Sequence, residues 1–274
     1  MTCRRWIAVL LLALASSLSH AAPPEVYQET AAQIRTHAGD HRLLVLGELH
    51  GTRETPLLVQ ALLQGYDRDT PLQLALELPT SENAALAAYM ASNGDAAAKH
   101  ALRHSPYWNV NDHLHDGRRS QDMLDLIEAA RTLRAQGREL TVVGFDGNTT
   151  GDGGDGARDA DMAKTLRAGF RALTANGRMI VLTGNVHGSR EQSRVAGYPP
   201  ATALLRDLPL YNVRIEARGG EFWACMGYRK CGTLSLITYD GVSPRTYTSE
   251  DRDYDLMVFL PRFTVARLLD GGSW

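Results

Sequence analysis

The chain has 274 residues, and 44% of them are hydrophobic, which suits one large domain with a substantial core. Its formal net charge of −2 excludes the strongly basic balance of nucleic-acid-binding proteins, so nucleic acid is not expected as a partner. Beyond the first residues, no segment is long and apolar enough to cross a membrane.

The first residues have the pattern of a secretory signal peptide. A positively charged start precedes a short apolar stretch at 7–14, and small residues follow it. The stretch is too short to span a bilayer comfortably, which favours a cleaved signal over a retained anchor. We therefore expect a signal peptide at 1–21, a mature single domain at 22–274, export to the periplasm or the outside, and no stable membrane insertion after cleavage.

In the mature chain, apolar runs alternate with helical patterns. The patterns predict helices at 26–37, 54–64, 81–90, 121–134 and 159–175, and strands at 42–46, 72–78, 139–145 and in a run that ends at Gly184. Such alternation is typical of an α/β fold with a central, mainly parallel sheet and crossover helices. Residues 104–119 show no period and are predicted to form a long irregular excursion over the active rim.

The C-terminal part is expected to be β-rich. β-like runs are predicted at 210–215, 222–224, 233–237 and 254–260, and a short terminal helix at 263–269. Cys225 and Cys231, the two cysteines left after signal cleavage, flank the loop of a predicted hairpin. In an exported protein they are expected to form a disulfide, since their spacing fits neither a CxxC redox motif nor a zinc knuckle.

Four predicted strands end in polar residues of the kinds used in catalysis or metal binding. They are Glu48 and His50 after the first strand, Glu77 after the second, Asp146 after the third, and Asn185 and His187 after the fourth. Ligands of parallel sheets bind at the carboxyl ends of the strands, so we expect these side chains to share one rim. Each alone has an ordinary structural explanation, but together they indicate a metal site or a water-activating site.

Two mechanisms are open for this rim. His50, His187, Glu48 and Glu77 are the expected ligands of a divalent metal such as zinc, manganese, iron or cobalt, which would lower the pKa of bound water. Without a metal, Glu48 could polarise His50, which would then deprotonate water directly. In either case Glu54, one helical turn beyond His50, is expected to orient the His50 side chain through its carboxylate without touching the metal or the substrate itself.

One ordered set of motifs resembles a known superfamily. The set is Gly47-Glu48-x-His50-Gly51-x-x-Glu54, then Glu77, then Arg158-Asp159-x-x-Met162-Ala163, then Gly184-x-x-His187. It resembles the superfamily that unites ChaN-like haem-binding proteins, erythromycin esterases and TraB/Tiki proteins, with ChaN-like domain proteins the nearest, over roughly residues 42–260. The resemblance implies an α/β fold with its site at the carboxyl edge of the strands.

The resemblance also implies divergent activities. Tiki-like members resemble metal-dependent proteases, esterase-like members activate water on a lactone, and ChaN-like members bind haem in iron uptake. Four positions match the shared hydrolytic set, namely Glu48, His50, Glu77 and His187. No position matches a haem ligand, and the tyrosines considered for that role lie in or near predicted loops: Tyr66, Tyr107 and Tyr198.

The retained acid and base side chains favour an exported hydrolase, metal-assisted, that acts on an ester, lactone or amide in a small-molecule or peptide substrate. Arg158 and Asp146 are expected to bind substrate, and Asn185 to donate a hydrogen bond to an oxyanion. Asp159 is expected to orient the side chains that touch the substrate or metal without touching either itself. The alternative is a periplasmic haem- or iron-binding protein of the ChaN type without catalysis. A purely structural exported domain would leave the strand-end carboxylates unexplained.

Overall fold

The structure is a computed structural model that describes residues 23–109, 115–147, 154–191, 197–226, 230–238, 241, 245–246 and 253–269. The predicted signal peptide at 1–21 lies outside the described residues, as does part of the predicted excursion. Within the described residues, no helix is long and apolar enough to cross a membrane.

Helices and strands alternate along the described chain as the sequence predicts. The helices are α1 (Glu25–Ala38), α2 (Glu54–Gly65), α3 (Asn83–Ala91), α4 (Ala96–Arg103), α5 (Gln121–Ala135) and α6 (Gly154–Ala172). The strands are β1 (Leu43–Glu48), β2 (Leu72–Pro79), β3 (Leu140–Asp146), β4 (Arg178–Gly184), β5 (Leu210–Ala217), β6 (Glu221–Cys225), β7 (Cys231–Ser235), β8 (Arg245–Thr246) and β9 (Leu256–Leu260). Of the helices, α4 is the one that the sequence patterns did not predict.

A seven-stranded sheet with the order β3-β2-β4-β1-β5-β9-β8 forms the centre of the fold. Every neighbouring pair is parallel except β8 and β9, which are antiparallel. This confirms the predicted α/β fold with a mainly parallel sheet. The order places the four strands that end in candidate residues side by side, so their carboxyl ends form one continuous rim.

Strand β1 is buried on both faces, which explains its unbroken apolar sequence. Leu44 and Leu46 pack in a core with helices α1 to α5, whereas Leu43 and Val45 pack in a second core with α6. Fully burying such side chains contributes about 1.5–3 kcal/mol each. The two cores hold the sheet rigidly from both sides, and the rim residues are therefore presented from a fixed scaffold.

The described part of the predicted excursion is irregular but firmly anchored. Helix α4 leads into it and is capped by Asp95, whose carboxylate accepts a hydrogen bond from the Ala98 N–H. Trp108 is fully buried, and its carbonyl accepts a hydrogen bond from Arg103. The buried carboxylate of Glu82 accepts a 2.9 Å hydrogen bond from the main-chain N–H of Tyr107 and one from Ser105. These contacts tie the excursion to the body of the protein.

Strands β6 and β7 form the predicted hairpin. Cys225 is paired with Cys231 in the antiparallel register, and a disulfide joins them as expected. The Trp223 N–H donates to the Gly51 carbonyl at 3.1 Å, and its indole Nε1 donates to the His115 carbonyl at 2.8 Å. The hairpin thus lies against two rim loops, the one after β1 and the one before α5.

The prediction of a terminal helix at 263–269 is wrong. The segment is extended, and its backbone forms isolated bridges with three distant positions, which are Thr52↔Val265, Ser120↔Leu268 and Gly220↔Phe263. Phe263, Ala266 and Leu269 are buried, and their three-residue spacing resembled a helical stripe. Neighbouring loops provide the hydrogen-bond partners that a helix would have provided internally, and so tertiary pairing overrides the local pattern.

Candidate active site

The predicted rim residues come together at the carboxyl ends of β1, β2, β3 and β4, where helix α6 also contributes. The side chains joined by hydrogen bonds or ion pairs of 3.9 Å or less include Glu48, His50, Glu77, Asp146, Arg158, Asp159 and His187. Arg118, which the sequence analysis did not single out, belongs to the same network. The site is therefore a connected cluster of carboxylates, guanidinium groups and imidazoles.

Glu77 lies at the centre of the cluster, and both of its carboxylate oxygens are fully engaged. Its Oε1 accepts hydrogen bonds from Arg118 Nη1 and Arg158 Nη2, both at 2.8 Å. Its Oε2 accepts from the Thr183 hydroxyl and the Gly184 N–H, both at 2.7 Å. Four donors on one carboxylate hold its position and leave it no lone pair aimed at a substrate.

The charges around Glu77 keep it ionised. Burial alone would raise the pKa of the Glu77 carboxyl, but the positive charges of Arg118 and His50 outweigh burial and hold that pKa well below its usual range. Burial would conversely lower the pKa of Arg118, and the charge of Glu77 raises it well above its ordinary value. Glu77 is thus a fixed anion that organises the cations around it, and it is poorly suited to act as a general base.

His50 lies between two carboxylates. Its Nδ1 is 3.0 Å from Glu48 Oε1, and its Nε2 is 3.6 Å from Glu77 Oε2. Burial lowers the pKa of His50, but the charge of Glu77 and the hydrogen bond to Glu48 outweigh it and raise that pKa to about 10. Burial raises the pKa of Glu48. The raised pKa of His50 favours the imidazolium form of its ring at neutral pH.

His187 is held in one defined neutral tautomer. Its Nε2 is 2.8 Å from Arg158 Nη1, and its Nδ1 is 2.8 Å from Asp159 Oδ1. Because a guanidinium can only donate, Nε2 must be the acceptor, and the ring proton is on Nδ1, where it is donated to Asp159. Asp159 Oδ1 also accepts from the Ala201 N–H at 2.6 Å, which fixes the carboxylate in turn.

Arg158 links three of the predicted residues. It forms a bidentate ion pair with Asp146, in which Nε donates to Oδ1 at 2.9 Å and Nη2 donates to Oδ2 at 2.7 Å. It also donates hydrogen bonds to Glu77 and His187. Burial lowers its pKa, and the hydrogen bonds and charges of Asp146 and Glu77 raise it above the ordinary value. Asp146, predicted to bind substrate, is in this structure the partner that orients Arg158.

Arg118 comes from the excursion that was predicted to cover the rim. Its Nη1 also donates to the Glu77 carbonyl at 2.9 Å, and its Nε donates to Asp116 at 2.9 Å. Burial raises the pKa of Asp116, but the charges of Arg118 and His50 lower it to about 2. The aperiodic stretch around it indicated a functional loop, but nothing in that pattern distinguished Arg118 from the other arginines of the chain.

Glu54 has a different partner from the one predicted, and Asn185 is held through its main chain. The carboxylate of Glu54 accepts hydrogen bonds from the Thr264 N–H at 2.8 Å and the Thr264 hydroxyl at 2.6 Å, so it anchors the C-terminal segment instead of supporting His50. The main chain of Asn185 donates to the Glu48 carbonyl at 2.8 Å and accepts from the Tyr254 hydroxyl. That main chain thus ties the loop after β4 to the end of β1.

The tyrosines considered as haem ligands are spread over the fold. Tyr66 lies at the amino edge of the sheet, beside the guanidinium groups of Arg35 at 5.9 Å and Arg178 at 5.7 Å. Tyr107 lies near the rim, where burial raises the pKa of its hydroxyl. Tyr198 lies against the first turn of α6, beside Gly156. Haem binding stays a prediction.

The arrangement of donors does not fit a metal ion. The Glu77 oxygens are engaged by four N–H and O–H donors, and the lone pair of His187 Nε2 faces Arg158. In the part of the chain that the structure covers, no three His, Cys, Asp or Glu side chains are grouped to hold a metal. Guanidinium groups occupy the positions beside Glu77 where a metal cation would lie.

Comparisons with known proteins bear on the fold. No protein-family model and no curated protein matches the sequence. A Bacillus cereus protein of solved structure is similar, with a TM-score of 0.63, 12% identity, and coverage of 91% of this chain and 97% of that one. A succinoglycan biosynthesis protein has a TM-score of 0.64 and 11% identity over 88% of this chain and 93% of its own.

An erythromycin esterase mutant, solved in its open conformation, is similar as well. The TM-score is 0.63 at 12% identity, and the match covers 88% of this chain and 95% of the esterase. At this identity the likeness concerns the fold alone. The protein therefore has an α/β fold that an erythromycin esterase shares, which is the fold that its motifs implied.

Proposed function

We propose that this protein is a hydrolase in which His50 and His187 act as an acid–base pair. One observation carries the proposal. Each histidine has its Nδ1 on a carboxylate, Glu48 or Asp159, and each has its Nε2 within 3.9 Å of Glu77. Carboxylates that orient imidazoles in this way are typical of sites that move protons during hydrolysis.

The protonation states assign the two roles. His187 is neutral and carries its lone pair on Nε2, so it is the general base; His50 is an imidazolium, so it is the general acid. A water molecule that enters between Arg158 and His187 gives its proton to Nε2, and its oxygen attacks the carbonyl carbon. The bond to the leaving group then breaks as His50 donates a proton to the leaving oxygen or nitrogen. Solvent exchange restores both histidines.

The two guanidinium groups supply electrostatic stabilisation. Arg158 and Arg118 are held by carboxylates, so their N–H groups keep their orientation without reorganisation during the reaction. Once water replaces the contact between Arg158 Nη1 and His187, that N–H faces the developing negative charge. Glu77 keeps both cations and both imidazoles in position around the reacting atoms.

The substrate class is an ester, lactone or amide in a small molecule or peptide. The fold shared with an erythromycin esterase supports an ester or lactone first. The signal-like residues 1–21 and the Cys225–Cys231 disulfide support action outside the cytoplasm.

The test is a screen of the purified mature protein against chromogenic esters, lactones and peptide amides, followed by His50→Gln and His187→Asn on any substrate that is turned over. Each substitution is expected to lower kcat by about 10²–10⁴-fold, because each removes a proton-transfer group. His37→Asn is the matched control, since His37 is exposed on α1. Wild-type rates in both site variants would contradict the proposal, and so would a failure of the folded protein to hydrolyse any class.

Removal of metal ions by a chelator distinguishes this mechanism from a metal-assisted one. Dialysis against EDTA is expected to leave the rate unchanged, because no proposed step needs a metal. A rate that is lost on dialysis and restored by zinc or manganese would overturn the assignment of the histidines as an acid–base pair.

A further inference from the structure

Helix α4 carries two histidines one turn apart, away from the Glu77 cluster. His100 lies in its last turn and His104 is its C-cap residue, and both are exposed. Their rings are stacked with centroids 3.8 Å apart and planes tilted by 20°. Spacing of four residues on a helix places two side chains on one face, and it is the spacing that metal-binding helices use for paired histidines.

A backbone contact sets the tautomer of one ring. His104 Nδ1 is 2.9 Å from the His100 carbonyl oxygen. Because a carbonyl can only accept, Nδ1 carries the proton, and the neutral ring has its lone pair on Nε2. Histidines that bind metals characteristically donate their other ring N–H to a backbone carbonyl or carboxylate in this way. The tautomer of His104 is thus the one that a metal ligand needs.

We propose that His100 and His104 form a two-histidine chelate for a divalent transition metal of the copper, nickel and zinc class. Imidazole nitrogens suit these metals, and copper(II) binds such ligands most tightly of the three. A rotation of the His100 ring about χ2 turns its free nitrogen toward an ion on Nε2 of His104, while His104 keeps its contact with the His100 carbonyl. No group of three His, Cys, Asp or Glu side chains accompanies them among the described residues, so water or a donor on a bound molecule completes the coordination.

This site is independent of the proposed hydrolysis. The two exposed rings stack on each other and form no part of the Glu77 network, so replacing either one leaves the candidate active site intact. Surface substitutions of this kind change stability by less than about 0.5 kcal/mol. Loss of metal binding in such a variant therefore reports on the site and not on the fold.

The experiment titrates the untagged mature protein with Cu²⁺ and with Ni²⁺ by calorimetry, and records the Cu²⁺ electron paramagnetic resonance spectrum. We expect one tight equivalent with nitrogen hyperfine coupling from two imidazoles. His100→Ala and His104→Ala are each expected to weaken binding by at least about tenfold. His37→Ala, which removes an exposed histidine of α1 outside this pair, is expected to change nothing.

Two outcomes would overturn the proposal. One is a wild-type protein that takes up no Cu²⁺ above the level of the double variant His100→Ala/His104→Ala. The other is equal binding in the wild type and in both single variants, which would assign the metal to other groups. Neither outcome affects the proposed hydrolysis, whose test measures turnover and its loss in His50→Gln and His187→Asn.

Discussion

At the scale of single residues, Gly184 shows why the second Gly-x-x-His motif needs glycine. A Cβ at this position would lie 2.8 Å from His50 Nε2 and 3.6 Å from Glu77 Oε2. The backbone must therefore pass close under the imidazole, and the Gly184 N–H also donates to Glu77. The glycine is required by close approach and not by a turn conformation.

Gly184→Ala is expected to destabilise the protein by about 1–3 kcal/mol, because the added methyl group displaces the partly buried ring of His50. Denaturant unfolding measures the change. Gly232→Ala is the control, since a Cβ there meets nothing within 4 Å, and it is expected to stay within about 0.5 kcal/mol of the wild type. Equal effects of the two substitutions would show that His50 can move without cost.

At the scale of elements, the β6–β7 hairpin connects the disulfide to the rim. Trp223 contacts Gly51, which follows His50, and His115, which precedes Arg118. A Cβ on Gly117 would lie 2.4 Å from the Gly51 Cα, so the two rim loops also touch each other directly. The hairpin thus contacts the loop after β1, which carries His50, and the loop before α5, which carries Arg118.

Replacing both cysteines by serine is expected to lower the free energy of unfolding by about 2 kcal/mol, which is the chain-entropy value for so short a loop. It is also expected to speed hydrogen exchange at the Trp223 amide, which donates to the Gly51 carbonyl, since the unstapled hairpin opens more often. Amides of β3 and β2 serve as the internal control. Unchanged exchange at Trp223 would mean that packing alone holds the hairpin.

At the scale of the whole molecule, the cluster couples stability to pH. The pKa of His50 is raised to about 10 in the folded state, so its contribution is complete below its unfolded pKa of about 6.5 and is lost as pH rises through about 10. The pKa values of Glu77 and Asp116 are lowered, so their contributions are present above about pH 4 and are lost as pH falls through their folded values.

We therefore expect stability to be greatest between about pH 5 and pH 6.5 and to decline toward pH 10. Urea unfolding of the wild type and of His50→Gln across this range measures the effect. The difference between the two proteins should shrink as pH rises from about 7 to 10, because the wild type loses its imidazolium there. A constant difference over that interval would contradict the raised pKa.

Much of the fold and of the candidate site could be predicted from local pattern. The apolar run at 42–46 predicted the strand β1, and the strand ends at Glu48, Glu77, Asp146 and Gly184 predicted a common rim. These predictions succeeded because strand period, glycine turns and the parallel-sheet rule act over a few residues. Helix α4 and the extended segment 263–269 were missed, since distant contacts decide them.

The sequence by itself determined the α/β class, the rim and the residue types that line it, because these follow from the order of apolar runs and their polar ends. Only the tertiary structure decided which side chains contact each other. It placed Arg118 and Arg158 on Glu77, Asp159 on His187 and Thr264 on Glu54, across separations that no local pattern encodes. Protonation states depend on burial and on neighbouring charges in space, so the roles proposed for the two histidines rest on the folded structure and not on the sequence pattern.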